Sequence, residues 1–249
     1  MIALLSPVFQ GEWASLGETL DCASPRPPQA MPVSALLDDP ARLSGVLQRH
    51  ARSLGVAGPD LRATASAWTL AYLWALLPPV IAAASLFQHR FPVAAAGLAV
   101  SLDFHGVPRR FHLADEGTSL PGSGTADRYG PLLWNHLAPL FIAVSAQTRL
   151  PPKVMWGNAA RYVGAVFEHL AGTGSAPPQL ARDHEMLMHQ AAWPGGCDNP
   201  LHPRVRPDPA LHRQCCLYHL LPGQSPCRGC PLHDAAISPP ARTLPARSP

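Results

Sequence analysis

The sequence predicts an α+β fold: a mostly helical body with a short antiparallel hairpin or sheet and a small cysteine-rich C-terminal appendage. Three observations carry that prediction. Long apolar segments, several opened by proline, run through residues 40 to 192. One stretch, residues 94–114, changes to short strand-like runs around a Gly-Pro connection. Beyond Trp193 the composition shifts to Cys, His, Pro and Arg, and four of the six cysteines fall between 215 and 230.

Composition bounds the reading. At 249 residues the chain is long enough to bury a real core. Its 47% apolar and 14% charged residues describe a globular chain, not a disordered one. The net charge of +3 and the lack of a basic stripe interleaved with aromatics give no case for nucleic acid. Lys153 is the only lysine, so the basic charge is nearly all arginine. Met1 to Leu16 lacks a basic start followed by a long apolar run, so it does not read as a secretory signal. The chain is therefore expected in a reducing, cytoplasmic setting, where clustered cysteines bind metal or do redox chemistry.

Residues 1–58 read as an N-terminal extension, partly loop. Ser24 to Pro32 is a loop, and Leu43, Val46, Leu47 and Leu54 give Pro40 to Leu54 a helical spacing. Residues 59–192 form the body. Ala63 to Phe87 holds no charged residue over 25 positions, long enough to cross a bilayer. Pro78-Pro79 interrupts it, and Ala and Ser dilute it. The expectation is two buried core helices, one ending near Leu77 and the next starting at the prolines. In the hairpin, AVSLDF and RRFHLA flank His105-Gly106-Val107-Pro108. Gly117 to Gly124 is a loop. Pro131 to Thr148 reads as an apolar helix kinked at Pro139, Pro152 to about Leu170 as the next, and Gln179 to Ala192 as the last. Trp193-Pro194-Gly195-Gly196 stops it. Residues 193–237 form the cysteine region and 238–249 a disordered tail. An appendage this small needs a metal or another staple to hold a fold.

The pattern in that appendage is C-C-x10-C-x2-C, spelled CCLYHLLPGQSPCRGC. A CxxC turn brings two thiolates to one metal ion, and a second pair completes a four-thiolate site. Cys215, Cys216, Cys227 and Cys230 are thus the candidate ligands, and a 2Fe–2S cluster takes four Cys, two per iron. Neighbouring side chains in an extended chain point to opposite sides. Cys215 and Cys216 can both ligate only through a turn or by reaching different irons. A structural zinc is the competing reading, but its usual spacing is CxxC on both sides. A catalytic dithiol at Cys227 and Cys230 lacks a thioredoxin-like βαβ setting. Cys197 reads as a loop thiol or a fifth ligand candidate, and Cys22 as an isolated side chain. His202, His212, His219 and His233 read as surface residues. Arg213 and Arg228 stand next to ligands, where positive charge favours a reduced cluster.

The paired cysteine and the CxxC at this spacing resemble the cluster motif of the FhuF-type ferric-siderophore reductases. Met155-Trp156-Gly157-Asn158-Ala159-Ala160 resembles a WGN-type helix segment of the same family, and Ala67 to Leu86 with its central prolines is a weaker match. The resemblance spans roughly Asp60 to Leu232. It implies an oxidoreductase holding a 2Fe–2S cluster that passes one electron to Fe(III) in a ferric siderophore, by expectation of the hydroxamate type. Peripheral contact with a siderophore importer at the inner face of the cytoplasmic membrane is compatible with this reading. Trp156 and Asn158 are the candidate substrate-side residues. No phosphate-binding glycine loop is present, so electrons are expected from an external donor such as a ferredoxin or flavin reductase. The rival readings are a zinc-stabilised siderophore-binding or interaction module, and an iron–sulfur sensor.

Overall fold

The computed structural model describes residues 1–22, 25–172, 177–202, 212, 214–227 and 229–232. Arg213, Arg228, His233 and the proposed tail 238–249 lie outside them. The helices are α1 (Ala14–Gly17), α2 (Val33–Asp38), α3 (Pro40–Ser53), α4 (Arg62–Leu86), α5 (Thr125–Leu132), α6 (Ala138–Thr148), α7 (Pro152–Gly172) and α8 (Pro178–Met188). The strands are β1 (Leu20–Asp21), β2 (Met31–Pro32), β3 (His89–Arg90), β4 (Ala99–Leu102), β5 (Pro108–His112) and β6 (Thr118–Ser119). The expected class, mostly helical with short strands, is what the chain adopts.

The expected hairpin is β4–β5. Asp103 builds its turn: Oδ1 accepts from the backbone N–H groups of His105 and Val107, both at 2.9 Å. Gly106 sits at φ +79°, and a Cβ there would meet the Val46 carbonyl at 2.9 Å, so only glycine fits this close approach. The N-terminal segment supplies both outer strands of a four-stranded sheet ordered β1-β5-β4-β2. Its register aligns Leu20, Phe111, Val100 and Met31 in one row. Three of the four are fully buried, and Phe111 meets the Tyr72 ring of α4 edge-on at 4.9 Å. A second, two-stranded sheet pairs β3 with β6.

Helix α4 is the axis of the core and packs against α3, α7 and β5. It corrects the expected break: the helix runs unbroken from Arg62 to Leu86 through Pro78 and Pro79. Pro79 has no N–H to give the carbonyl four residues earlier, that of Ala75. The Thr19 hydroxyl takes that place, with Oγ1 2.6 Å from the Ala75 oxygen. By length and composition α4 could span a bilayer, but most of its apolar window is buried inside the protein. It is apolar all round because the core surrounds it.

The helix expected over Pro131 to Thr148 begins earlier, at Thr125, and is distorted elsewhere than at Pro139. Leu133–Leu137 forms a π turn, with the Ala138 N–H bonded to the Leu133 carbonyl five residues back. Inside that turn His136 is fully buried. Helix α7 begins at Pro152, as expected, and α8 ends at Met188, short of the expected Ala192. The Asn199 Nδ2 donates to the Met186, Leu187 and Gln190 carbonyls, so a side chain from the following loop closes this helix end.

Candidate metal centre

The cysteine segment folds by two tight turns. Leu217 adopts φ +60°, directly after the paired cysteines, and opens a short 3-10 turn over Tyr218–Leu220. Its N–H donates to Cys215 Sγ at 3.4 Å. The second turn is the CxxC itself, where the Cys230 N–H donates to the Cys227 carbonyl at 3.0 Å and Gly229 sits at φ +74°. The chain therefore turns directly after the paired cysteines.

These turns place the predicted thiols in one short segment, with Cys216 and Cys227 in contact. Cys216 Sγ lies 3.5 Å from Cys227 Sγ, and Cys215 interacts with Cys230. Cys216 and Cys230 are buried, while Cys215 and Cys227 are half-buried. Burial pushes the Cys215 thiol up, and the neighbouring Cys216 and Cys230 sulfurs push the same way. Cys227 is pushed to about 11 by burial and by Cys216, against a lowering pull from Arg161. Several sulfurs crowded in one low-dielectric place resist carrying negative charge together unless a cation joins them. Among the described residues no group of three or more His, Cys, Asp or Glu stands ready to hold a metal ion. Cys216 and Cys227 are in direct contact, and Cys230 acts electrostatically on both Cys215 and Cys227.

His219, expected on the surface, is half-buried with Nδ1 3.7 Å from Cys215 Sγ. Cys197 is exposed in the loop after α8, and Cys22 lies at the end of β1. His212 donates its backbone N–H to the Gly229 carbonyl at 2.8 Å.

The segment is seated on the body through Leu217, Tyr218 and Leu221, which pack with Leu54, Val56, Ala63 and Ala67. Helix α7 closes the other side. Arg161 and Tyr162 there act electrostatically on Cys227 and Cys216 respectively. Arg161 Nε is buried and unpartnered among the described residues. Neither residue was singled out from the sequence. The signal was available, since positions three and four after Asn158 share its side of a helix.

The two substrate-side candidates lie deeper. Trp156 is buried with its ring edge-on to Phe141 at 4.8 Å. Asn158 is buried, and its Nδ2 donates to Ser66 Oγ of α4 at 3.0 Å. Ser66 adjoins Ala67, one of the small residues under the cysteine segment.

Residues 66–213 match the profile of a family described as ferric iron reductase FhuF-like transporter. The match covers more than half of the chain and stops just before the paired cysteines. None of the curated proteins matches the chain.

Proposed function

Because the chain belongs to the FhuF-like ferric iron reductase family, we propose that it is a cytoplasmic ferric-siderophore reductase whose four thiols hold a 2Fe–2S cluster. The observation that carries this reading is the gathering of the thiols in one segment. Cys216 Sγ lies 3.5 Å from Cys227 Sγ, and Cys215 feels the charge of both Cys216 and Cys230. Four sulfurs suit a centre of two irons, each taking two cysteines. The donor chemistry fits the group.

When bound, such a cluster supplies one electron, is itself oxidised by one, and converts siderophore-held Fe(III) to Fe(II). Hard oxygen ligands hold Fe(II) poorly, so reduction loosens the iron without breaking a covalent bond of the siderophore. The protein's own part is to hold and shield the centre. Leu221 and the small residues Ala63 and Ala67 press the cysteine segment against α4. Arg161 places a cation beside the sulfurs, and the Leu217 N–H bonds one of them. Both favour added negative charge there. An external donor, a ferredoxin or flavin reductase, supplies the electron. A hydroxamate complex is the first substrate class to test, and contact with a siderophore importer would place the protein at the inner membrane face.

Anaerobic purification tests the reading. Iron and acid-labile sulfide should each approach about two per chain. The reduced protein should show a spin-half EPR signal and lose it on mixing with a ferric hydroxamate and an Fe(II) chelator. Cys216→Ser should abolish the cluster, whereas Cys197→Ser should leave it intact. One zinc without sulfide, or a reduced protein that no ferric siderophore reoxidises, overturns the proposal.

A further inference from the structure

A groove of about 920 Å³ runs along α8. Gln179, Arg182 and Glu185 of that helix and Gln190 just beyond it form one wall, and Gln88 with the loop at Ser123 forms the other. The groove lies far from the thiols. Ala63 and Ala67, near the start of α4, pack with the cysteine segment, whereas Gln88 stands just past the other end of that helix, at Leu86. At about 1.5 Å of rise per residue the two places are roughly 30 Å apart. What binds here is not the complex being reduced. We propose that the groove holds the iron-free siderophore that reduction leaves behind, as an extended, uncharged hydroxamate chain. The inference rests on the reductase reading for the identity of the ligand, not for the existence of the site.

Charge is the first argument. Arg182 and Glu185 are the charged residues of the lining. Among the described residues neither joins an ion pair. One guanidinium and one carboxylate a helical turn apart cancel, so the groove favours a neutral, polar ligand over an anion.

The carboxamides are the second. Gln88 Oε1 accepts from the Gly122 N–H at 2.7 Å, which leaves its Nε2 as a donor. Gln190 Nε2 donates to Glu185 Oε1 at 2.9 Å, which leaves its Oε1 as an acceptor. Gln179 is buried and fixed between its neighbours: its Oε1 accepts from Arg182 Nη2 at 2.9 Å, and its Nε2 donates to Asp183 Oδ1 at 2.6 Å. Gln88 also sits at φ +49°, a backbone state that residues with side chains seldom take. The Leu120 N–H, bonded to its carbonyl at 2.7 Å, holds it there. Strain of this kind is kept where the side chain it aims is used.

The ligand's chemistry answers both. A hydroxamate bound to Fe(III) is deprotonated, and its oxygens are turned inward to the metal. When the iron leaves as Fe(II), each hydroxamate takes a proton from water and becomes a neutral group with an N–OH donor beside a C=O acceptor. The chain is then free to extend. From Gln179 to Met186 the wall covers about 10 Å along the axis of α8, so it suits a linear chain and not a compact chelate. The volume is that of a site for a drug-sized ligand. Holding the iron-free product here leaves the thiol end open to the next ferric complex.

Calorimetric titration of the purified full chain with iron-free acetylated desferrioxamine, a neutral linear trihydroxamate, tests the proposal. It should bind one to one, with an affinity that changes little with salt. The gallium(III)-loaded form of the same molecule, wrapped around its ion, should bind at least about tenfold more weakly. Gln88→Ala and Gln190→Ala should each weaken binding of the iron-free form several-fold. Ala181→Trp fills the groove from an exposed position. It should abolish binding and leave iron content and reoxidation by a ferric hydroxamate unchanged. Absence of binding by the iron-free form, equal binding of the gallium form, or full binding by the Ala181→Trp variant overturns the proposal. So does equal binding of acetyl-tetraalanine amide, which would make the groove a peptide site. If the iron-free chain binds as expected but no ferric complex is reduced, the reductase reading fails and the groove stands. If reduction proceeds and the iron-free chain does not bind, only the groove proposal fails.

Discussion

The Thr19 hydroxyl sits 2.6 Å from the Ala75 carbonyl oxygen, the acceptor that Pro79 leaves without its helical donor. The Leu16 carbonyl, at 2.8 Å, is its second available acceptor. The contact replaces the donor that Pro79 lacks within the unbroken α4, and it ties the N-terminal segment to the core helix. Thr19→Val keeps the shape and removes the donor. It should cost about 1–2 kcal/mol in urea denaturation, whereas Thr19→Ser should cost little. Equal stability of all three proteins would show that the hydroxyl does not repair the helix.

His136 dictates a pH dependence. Its Nδ1 lies 2.6 Å from the Val93 carbonyl, so that nitrogen carries the proton, and Nε2 accepts from the Tyr72 hydroxyl at 2.6 Å. The ring is neutral, and burial holds its pKa at about 4, below the ordinary 6.5. Between those values the unfolded chain binds a proton that the folded chain refuses. Stability should therefore rise with pH across that window and fall as pH drops through it, by about 3 kcal/mol at full extent. Burial also lowers His50 and His112, so His136→Gln should flatten the profile only in part. A parent profile flat from neutrality to about pH 4 would contradict the assignment.

What the sequence made legible follows from how local each cause is. The hairpin was readable because Asp103 and Gly106 act within their own turn. The cysteine motif stood out because it lies within sixteen residues, so the candidate ligands are local to one segment. The unbroken α4 was not readable, because its repair comes from Thr19, 56 positions away. The π turn at Leu133–Leu137 was not readable either, since His136 is held there by Tyr72 and Val93 from other parts of the chain. The same reason hid the setting of the thiols. Arg161 lies far from them in sequence and meets them only because α7 packs along α4.

A buried ion pair fixes α8 to the body. Arg128 Nη2 donates to Asp183 Oδ1 at 2.6 Å, with both side chains fully buried. Thr125 and Gln179 donate to the same oxygen, and Ser85 donates to Oδ2 at 2.7 Å. Arg128 also bonds the Ser123 carbonyl. Asp183→Asn leaves the guanidinium buried without its counter-charge, and should cost about 3–5 kcal/mol in thermal or urea unfolding. A loss below about 1 kcal/mol would mean that water or a rearranged partner replaces the carboxylate.

Asn158 joins α7 to α4 through its bond to Ser66. Asn158→Ala should lower stability by about 1–2 kcal/mol and leave iron and sulfide content unchanged. If it also slows reoxidation by ferric siderophore at equal cluster content, Asn158 positions the electron-transfer path as well as the helices. If it removes the cluster, its role is to shape the seat of the cysteine segment.

Arg161 should set the potential of the proposed cluster. Its Nε is buried and unpartnered among the described residues, and its charge reaches Cys227. Adding an electron to a centre held by four thiolates adds negative charge, which a nearby guanidinium stabilises more in the reduced than in the oxidised form. A charge at a half-buried site contributes on the order of 1 kcal/mol to that difference, about 40 mV for one electron. Arg161→Gln should therefore move the midpoint potential downward by roughly that amount in an EPR-monitored titration, and Arg161→Lys should restore most of it. The direction matters for function. A more negative cluster is a stronger donor but harder for an external reductase to fill, so Arg161→Gln should speed reoxidation by ferric siderophore while slowing reduction by a weak donor. An unchanged potential in the glutamine variant, with full cluster content, would show that solvent screens Arg161 from the thiolates.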